Sequence, residues 1–331
     1  MPEYAALVVS PRALPEGLIL VFQHPDRSRV FRAPEARTKE KGIGDMPSIE
    51  YESTQETFYD FCLWPYQPSV PYENKFKSAN LLFHSFEVAG MGSRGVDMVQ
   101  AIRKEIGHSR TVWGVKRLGE DIRWEFYFYD YRRKERETSV GRILKTCRPF
   151  FACDVGINEN FHYFMFSIDI DHDLVTGSKD LDEIHLYIGN PGSSVSSGIC
   201  YSMTGSGTRL ENFYFFFDAR REVNEIIAKA RSSAYVDASR VHLDEILWPE
   251  LRNCKVIVIA NKQQNDGVYF SGIDVNQLII FLKRLNYPGG IVNFIENNKA
   301  SLDHLQYDVG FDYRMENGRL SILKSAYYGV F

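Results

Sequence analysis

The sequence predicts an α+β fold: a ten-stranded antiparallel β-barrel with a solvent-accessible lumen, surrounded by helices. Three observations predict it. From residue 111 onward, strand-like stretches come in consecutive pairs, and consecutive hairpins make antiparallel neighbours. Stretches of helical spacing fall between most of the pairs, where they can cover an outer face. Ten strands left as an open sheet would expose two edges, and closure removes them. A barrel of that size is wide enough to keep a lumen.

The first pair is 111–118 with 122–131, around Gly119-Glu120-Asp121. Residues 132–146 follow with helical charge and spacing. The second pair is 160–170 with 183–190, and the third 198–205 with 210–218. No helix is read between these two pairs. A clear helix follows at 219–234, and a further one at 241–251. The fourth pair is 254–262 with 266–272. Then come a helix with Val275, Leu278, Ile279, Leu282 and Leu285 on one face, an N-cap at Asp274 and a stop at Tyr287-Pro288. Asn317-Gly318 joins the last two strands, a dipeptide suited to a two-residue hairpin turn.

The first part of the chain is less regular. Residues 18–23 read as a strand, 33–53 as a polar loop, and the proline-broken aromatic stretch that follows as an irregular covering layer. Residues 80–89 read as a strand, followed by Gly90-Met91-Gly92-Ser93-Arg94-Gly95 and a helix. The glycine pattern matches a dinucleotide fingerprint, but a fingerprint needs a βαβ unit, and paired strands come next. A glycine turn entering a helix is the better reading. The expected division is an N-terminal segment, 1–93, packed on a barrel of 94–331.

Composition fits a large core or a lined cavity: of 331 residues 44% are hydrophobic, with 19 Tyr and 23 Phe. A net charge of −4 argues against a general nucleic-acid binder. No apolar run is long enough for a membrane span, and the N-terminus lacks a signal-peptide pattern. Five cysteines without a CxxC suit a reduced cytoplasm better than disulfides or zinc. Asp169-Ile170-Asp171-His172-Asp173 begins like a calcium loop, but Leu174 stands where glycine is needed. No metal site is expected.

Alternation decides which side chains face the lumen. In 122–131, Trp124, Phe126 and Phe128 share an apolar face suited to helices, so Glu125, Tyr127 and Tyr129 should point inward. The same reasoning places Tyr163, Ser167 and Asp169 inward, with Phe164, Phe166 and Ile168 outward. It also turns His185, Tyr187, Asn212, Tyr214, Tyr269 and Ser271 inward, and in 305–314 the polar set Gln306, Asp308, Asp312 and Arg314. In the last strand Lys324, Ala326 and Tyr328 share one face, Ser325 and Tyr327 the other, and alternation alone leaves the choice open. A buried charge must be paired or ligand-bound. Each inward charge could belong to an ion pair; as a set they point to a polar-lined ligand chamber.

Five hairpins with intervening helices, ending in a lysine-bearing aromatic strand, resemble the soluble aromatic prenyltransferases of the αββα, or PT-barrel, class. The likeness covers about 94–331 and is carried by element order, by the stretch around Val268–Pro288 and by Leu323-Lys324-Ser325-Ala326-Tyr327-Tyr328. The resemblance implies a transferase of secondary metabolism. It would act as a monomer, moving a prenyl group from an allylic diphosphate to an aromatic small molecule, with no nucleic-acid or membrane partner. In that class a last-strand lysine binds the diphosphate, with a small residue two on and a tyrosine four on; Lys324, Ala326 and Tyr328 match. Lys116 matches the basic residue of the first strand, with Arg117 as its neighbour, and Lys255 and Arg314 are further candidates. Tyr127, Tyr129, Tyr163, Tyr187, Tyr214, Tyr269 and Tyr328 would line the substrate and shield a carbocation. Glu125 or Asp308 would take the proton. No cofactor is fixed; Mg²⁺ enters only through the inward carboxylates. Two other readings stand beside this one: a barrel of the same fold that binds an aromatic or cationic small molecule or does other chemistry with those carboxylates, and a nucleotide binder using the glycine turn.

Overall fold

The computed structural model describes residues 48–331 apart from 56, 61, 64, 110, 131–137, 157–158, 190–195 and 238. The strand expected at 18–23 lies outside the described residues. The ten strands are β1 (Thr111–Leu118), β2 (Asp121–Tyr129), β3 (Met165–Ile170), β4 (Glu183–Gly189), β5 (Ser197–Thr204), β6 (Gly207–Asp218), β7 (Val256–Lys262), β8 (Asp266–Ile273), β9 (Tyr307–Glu316) and β10 (Arg319–Val330). They form a closed barrel in which each strand lies beside its sequence neighbour and β10 closes on β1. Every pairing is antiparallel, so the barrel is the meander that the hairpin count predicts.

Outward side chains make the main core. Trp124, Phe126 and Phe128 of β2 are buried beneath the helices, as are Trp113 and Val115 of β1. Trp124 donates its indole N–H to Ser85 Oγ at 2.7 Å and Trp113 to Val330 O at 2.9 Å, so both buried indoles are satisfied. Asn317 and Gly318 have φ of 52° and 77°, as a type I′ hairpin turn requires.

Helices cover the barrel: α1 (Ala79–Val88), α2 (Ser93–Ile106), α3 (Val140–Cys147), α4 (His172–Thr176), α5 (Val223–Arg231), α6 (Val275–Arg284), α7 (Gly289–Asn297) and α8 (Lys299–Leu302). Three readings need correction. Residues 80–89 are not a strand: Ala79–Val88 is helical, with seven of its residues buried. An apolar run buried on most sides carries no period to separate helix from strand. The glycine turn therefore joins two helices, Gly90 and Gly92 take φ of 68°, and the strand that a nucleotide fingerprint needs is missing. The stretch 241–251 forms two short 3₁₀ turns, Leu243–Glu245 and Pro249–Leu251. Pro288 is the N-cap of α7, a helix that Gly289-Gly290 concealed from a propensity reading. Asp171 caps α4 by accepting from Leu174 N at 2.8 Å, and Asp169 of the same acidic run pairs with Lys116.

Before α1 the chain runs as a strap across one end of the barrel. Tyr66 Oη accepts from Gln306 N at 2.7 Å and donates to Asp60 O at 3.0 Å. Asp60 accepts from Ser78 N at 2.6 Å, and Ser78 Oγ donates to Val330 O at 3.1 Å. Burial, and then neighbouring Glu52, push the Asp60 carboxyl up to about 7.

Asp274 caps α6 through Asn276 N and Gln277 N, and Gln277 returns the bond in a capping box. Asp274→Ala should cost about 1 kcal/mol of stability in urea unfolding. A loss below a few tenths would mean that α6 is held by packing alone.

Candidate functional site

The barrel keeps a lumen. Inward side chains alternate along each strand, and the register sorts them by height. At the end bearing the tight hairpins lies a polar chamber of about 760 Å³. Toward the strap lies a smaller apolar pocket of about 140 Å³. Tyr127, Tyr187, Tyr214, Tyr269 and Tyr328 line both, forming a belt at the waist of the barrel.

The mouth holds interlocked charges. Lys116 Nζ lies 2.7 and 2.8 Å from the two oxygens of Asp169 and 3.6 Å from Glu125. Lys262 Nζ lies 2.8 Å from Asp312 and donates to Tyr269 Oη at 3.1 Å. Lys324 reaches the same Asp312 at 3.4 Å. Burial alone would raise Asp312; Lys262 and Lys324 outweigh it and hold the carboxyl below its usual range. Burial likewise opposes the charge of Lys262, but Asp312 and other neighbours hold its pKa above the ordinary lysine value.

The belt tyrosines stay protonated. Burial pushes all five phenols well above the ordinary tyrosine range, and Glu125 adds to the shift of each. Three hydroxyls have partners: besides Tyr269 with Lys262, Ser167 Oγ lies 3.2 Å from Tyr187 Oη, and Asn212 Nδ2 donates to Tyr214 Oη at 3.1 Å. Two rings lie against glycine backbone. Tyr328 stands opposite Gly114 across β1 and β10, and Tyr269 opposite Gly310 across β8 and β9. A Cβ at Gly310 would sit 2.2 Å from the Tyr269 ring, and one at Gly114 2.7 Å from the Tyr328 ring. Only glycine lets these rings lie along the wall and leave the lumen open.

At the floor, Asp308 accepts from Ser271 Oγ and from Gly272 N. Burial pushes its carboxyl up to about 6, against the lowering effects of those bonds and of Lys255. Cys62 and Leu63 of the strap close the apolar pocket beneath it.

Most sequence-predicted side chains meet in this lumen: Lys116, Glu125 and Lys324 at the mouth, the five tyrosines at the waist, Tyr129 and Asp308 toward the floor. The last strand turns Lys324, Ala326 and Tyr328 inward, while Tyr327 packs on Trp113 and Ser325 meets Tyr287 on the outside. Three expectations are corrected. Tyr163 is outside the barrel wall, packed on Phe166 with its hydroxyl donated to Glu159, and Phe164 lines the floor instead. The chain is irregular before β3 begins at Met165, so alternation cannot be extended back to 163. Lys255 precedes β7 at the strap end, where its Nζ lies over the Tyr66 ring, far in register from the mouth lysines. Arg314 pairs with Glu316 and does not line the chamber. Lys262 was missed. Its strand is apolar on both faces, so no alternation marked the inward set of Val258, Ala260 and Lys262.

No protein-family model matches the chain. The chain is 23% identical over 305 residues to a protein of Acanthamoeba polyphaga mimivirus that is described as JmjC domain-containing. The match covers 81% of this chain and 48% of the relative, so the chain spans about half of that protein's length. This finding overturns the expectation of a prenyltransferase of secondary metabolism: the named relative points away from prenyl transfer. The mouth agrees with the correction. Three lysines do converge there, but Asp169, Asp312 and Glu125 already meet their charge. Among the described residues no helix is long and apolar enough to cross a membrane.

Asp312→Ala would leave Lys262 charged and unpaired in a largely dry wall. It should cost about 3–5 kcal/mol in chemical unfolding, whereas the joint replacement Lys262→Met with Asp312→Leu should come close to the parent. Equal losses for both variants would show that packing, not charge, is what Asp312 supplies.

Proposed function

We propose that the barrel is an enzyme chamber for a small amphiphilic molecule, which lies along the lumen axis. Its apolar body passes through the tyrosine belt to the floor, and its polar end stays among the charges of the mouth. The observation that carries this reading is the belt itself: the same five tyrosines bound a polar compartment on one side and an apolar one on the other. Lysines and carboxylates are paired across the mouth, so a polar head with both donors and acceptors can exchange with existing ion pairs without stranding a charge. The kinship with the αββα class is proposed for architecture alone.

The chemistry that these residues support is proton transfer. Asp308 stands at the apolar end with a carboxyl near neutrality in affinity for its proton, and Ser271 and Gly272 fix its orientation. Glu125 faces the belt from the mouth side, 3.6 Å from Lys116. Together they offer an acid–base group at each end of a bound molecule.

The relative's name raises another reading, an iron-dependent oxygenase. Such sites take two histidines and a carboxylate. Among the described residues His185 is the only histidine that lines the chamber, and no three His, Cys, Asp or Glu side chains are placed to hold a metal. The residues do not fit that group, and no step is derived through it. About half of the relative is left unmatched, room for a JmjC domain elsewhere in that protein.

Calorimetric titration with phenols and indoles bearing an amine, a carboxylate or both should give saturable one-to-one binding, weakened at least tenfold by Tyr214→Leu. Absence of binding across the panel would sink the chamber reading. For a ligand that exchanges a proton at its apolar end, the pH profile should bend near 6 and lose that bend in Asp308→Asn. The raised carboxyl also makes a stability statement. Its contribution is present below the ordinary carboxylate range and is lost as pH rises through about 6, so the unliganded parent should melt lower at pH 7 than at pH 5 relative to Asp308→Asn.

A further inference from the structure

The belt has a geometry that an apolar constriction does not need. Successive ring centroids lie 6.1 Å apart from Tyr328 to Tyr127, 5.9 Å from Tyr127 to Tyr187, 6.2 Å from Tyr187 to Tyr214 and 6.3 Å from Tyr214 to Tyr269. Tyr269 also packs against the cluster that holds Tyr328, so both ends of the arc border the same group of residues. A regular ring of five with such spacings has a radius of about 5 Å, and a cation within ~6 Å of an aromatic centroid is attracted to its face. One cation at the centre would thus be in range of all five rings at once.

The surrounding charges favour such an occupant. Glu125 lines the polar chamber together with all five tyrosines of the belt, which puts a carboxylate on its mouth side. Asp308 lines the apolar pocket on the other side, beside the same five tyrosines. The mouth lysines are held by carboxylates, Lys116 chiefly by Asp169 at 2.7 Å with Glu125 farther off at 3.6 Å, Lys262 and Lys324 by Asp312. Lys262 already tests the principle at the rim, with its Nζ 5.7 Å from the Tyr269 centroid.

We propose that the belt is a receptor for an organic cation, a methylated ammonium group on a small molecule, held by the five tyrosine faces between Glu125 and Asp308. The inference rests on the chamber reading and narrows its ligand class. A methylated ammonium suits the place better than a primary one. It has no N–H to satisfy, three of the belt hydroxyls, those of Tyr187, Tyr214 and Tyr269, are already engaged with Ser167, Asn212 and Lys262, and its methyl surface matches aromatic faces.

The test compares benzyltrimethylammonium with neopentylbenzene, a neutral molecule of the same shape, by calorimetric titration of the full chain. The cation should bind at least tenfold more tightly. Equal or tighter binding of the neutral molecule overturns the proposal and leaves the chamber reading intact; binding of neither sinks both. A second arm separates ring from hydroxyl. Tyr127→Phe and Tyr214→Phe keep the aromatic faces and should bind the cation within threefold of the parent. Tyr127→Leu and Tyr214→Leu should lose at least tenfold for the cation and less than threefold for the neutral molecule. Parallel losses for both ligands would assign the belt to shape alone and overturn the proposal. Unliganded melting temperatures of the Phe variants establish that the comparison is made on folded protein.

Discussion

The pairing of β10 with β1 is the interaction on which the rest of the structure depends. It converts a nine-fold run of hairpin contacts into a ring and removes both sheet edges in one step. Without it there is no inside. Alternation would then sort side chains to two faces of a sheet, and the tyrosine face would lie open to water. With it, the same alternation separates a hydrophobic exterior held by helices from an interior that has to be polar, aromatic or empty. The closing pair also contains Gly114 opposite Tyr328, so the seam is where one of the large rings is accommodated.

Charge inside such a ring has to be arranged in advance. Asp312 is 3% exposed and meets two lysines from different strands, β7 and β10. Its carboxylate on β9 thus links adjacent β10 to β7, two strands away across β8. The mouth is therefore both a stabilising network and a set of groups available to a ligand, and the two roles compete. A ligand head that enters must replace what it displaces.

Much of this was legible in the sequence, and the reasons are particular. Hairpins announce themselves through local chemistry such as Asn317-Gly318, and a long run of them has few ways to end other than closure. Glu125, Tyr127 and Tyr129 could be placed because Trp124, Phe126 and Phe128 opposite them are wholly apolar. Lys262 could not, because β7 is apolar on both faces and the polarity contrast vanishes. Tyr163 and Phe164 were exchanged because alternation holds only where the backbone is extended, and β3 starts two residues later. Ala79–Val88 was misread because burial on most sides erases the helical period. The charge pairing at the mouth depends on cross-strand register, which no single strand reveals. A resemblance carried by element order conveyed the barrel and not the reaction.

The strap ties the beginning of the described chain to its end: Ser78 bonds to Val330, and Tyr66 to the backbone entering β9. A chain growing from its N-terminus thus makes the strap long before anything exists for it to seal. Until the final strands emerge, the nascent protein is a curved gutter with tyrosines along its trough and two unsatisfied edges, a shape prone to pairing with another copy. Seam and floor are then completed together by β9 and β10. Such a barrel acquires its closed cavity and its capacity to bind in one event, the pairing of β10 with β1.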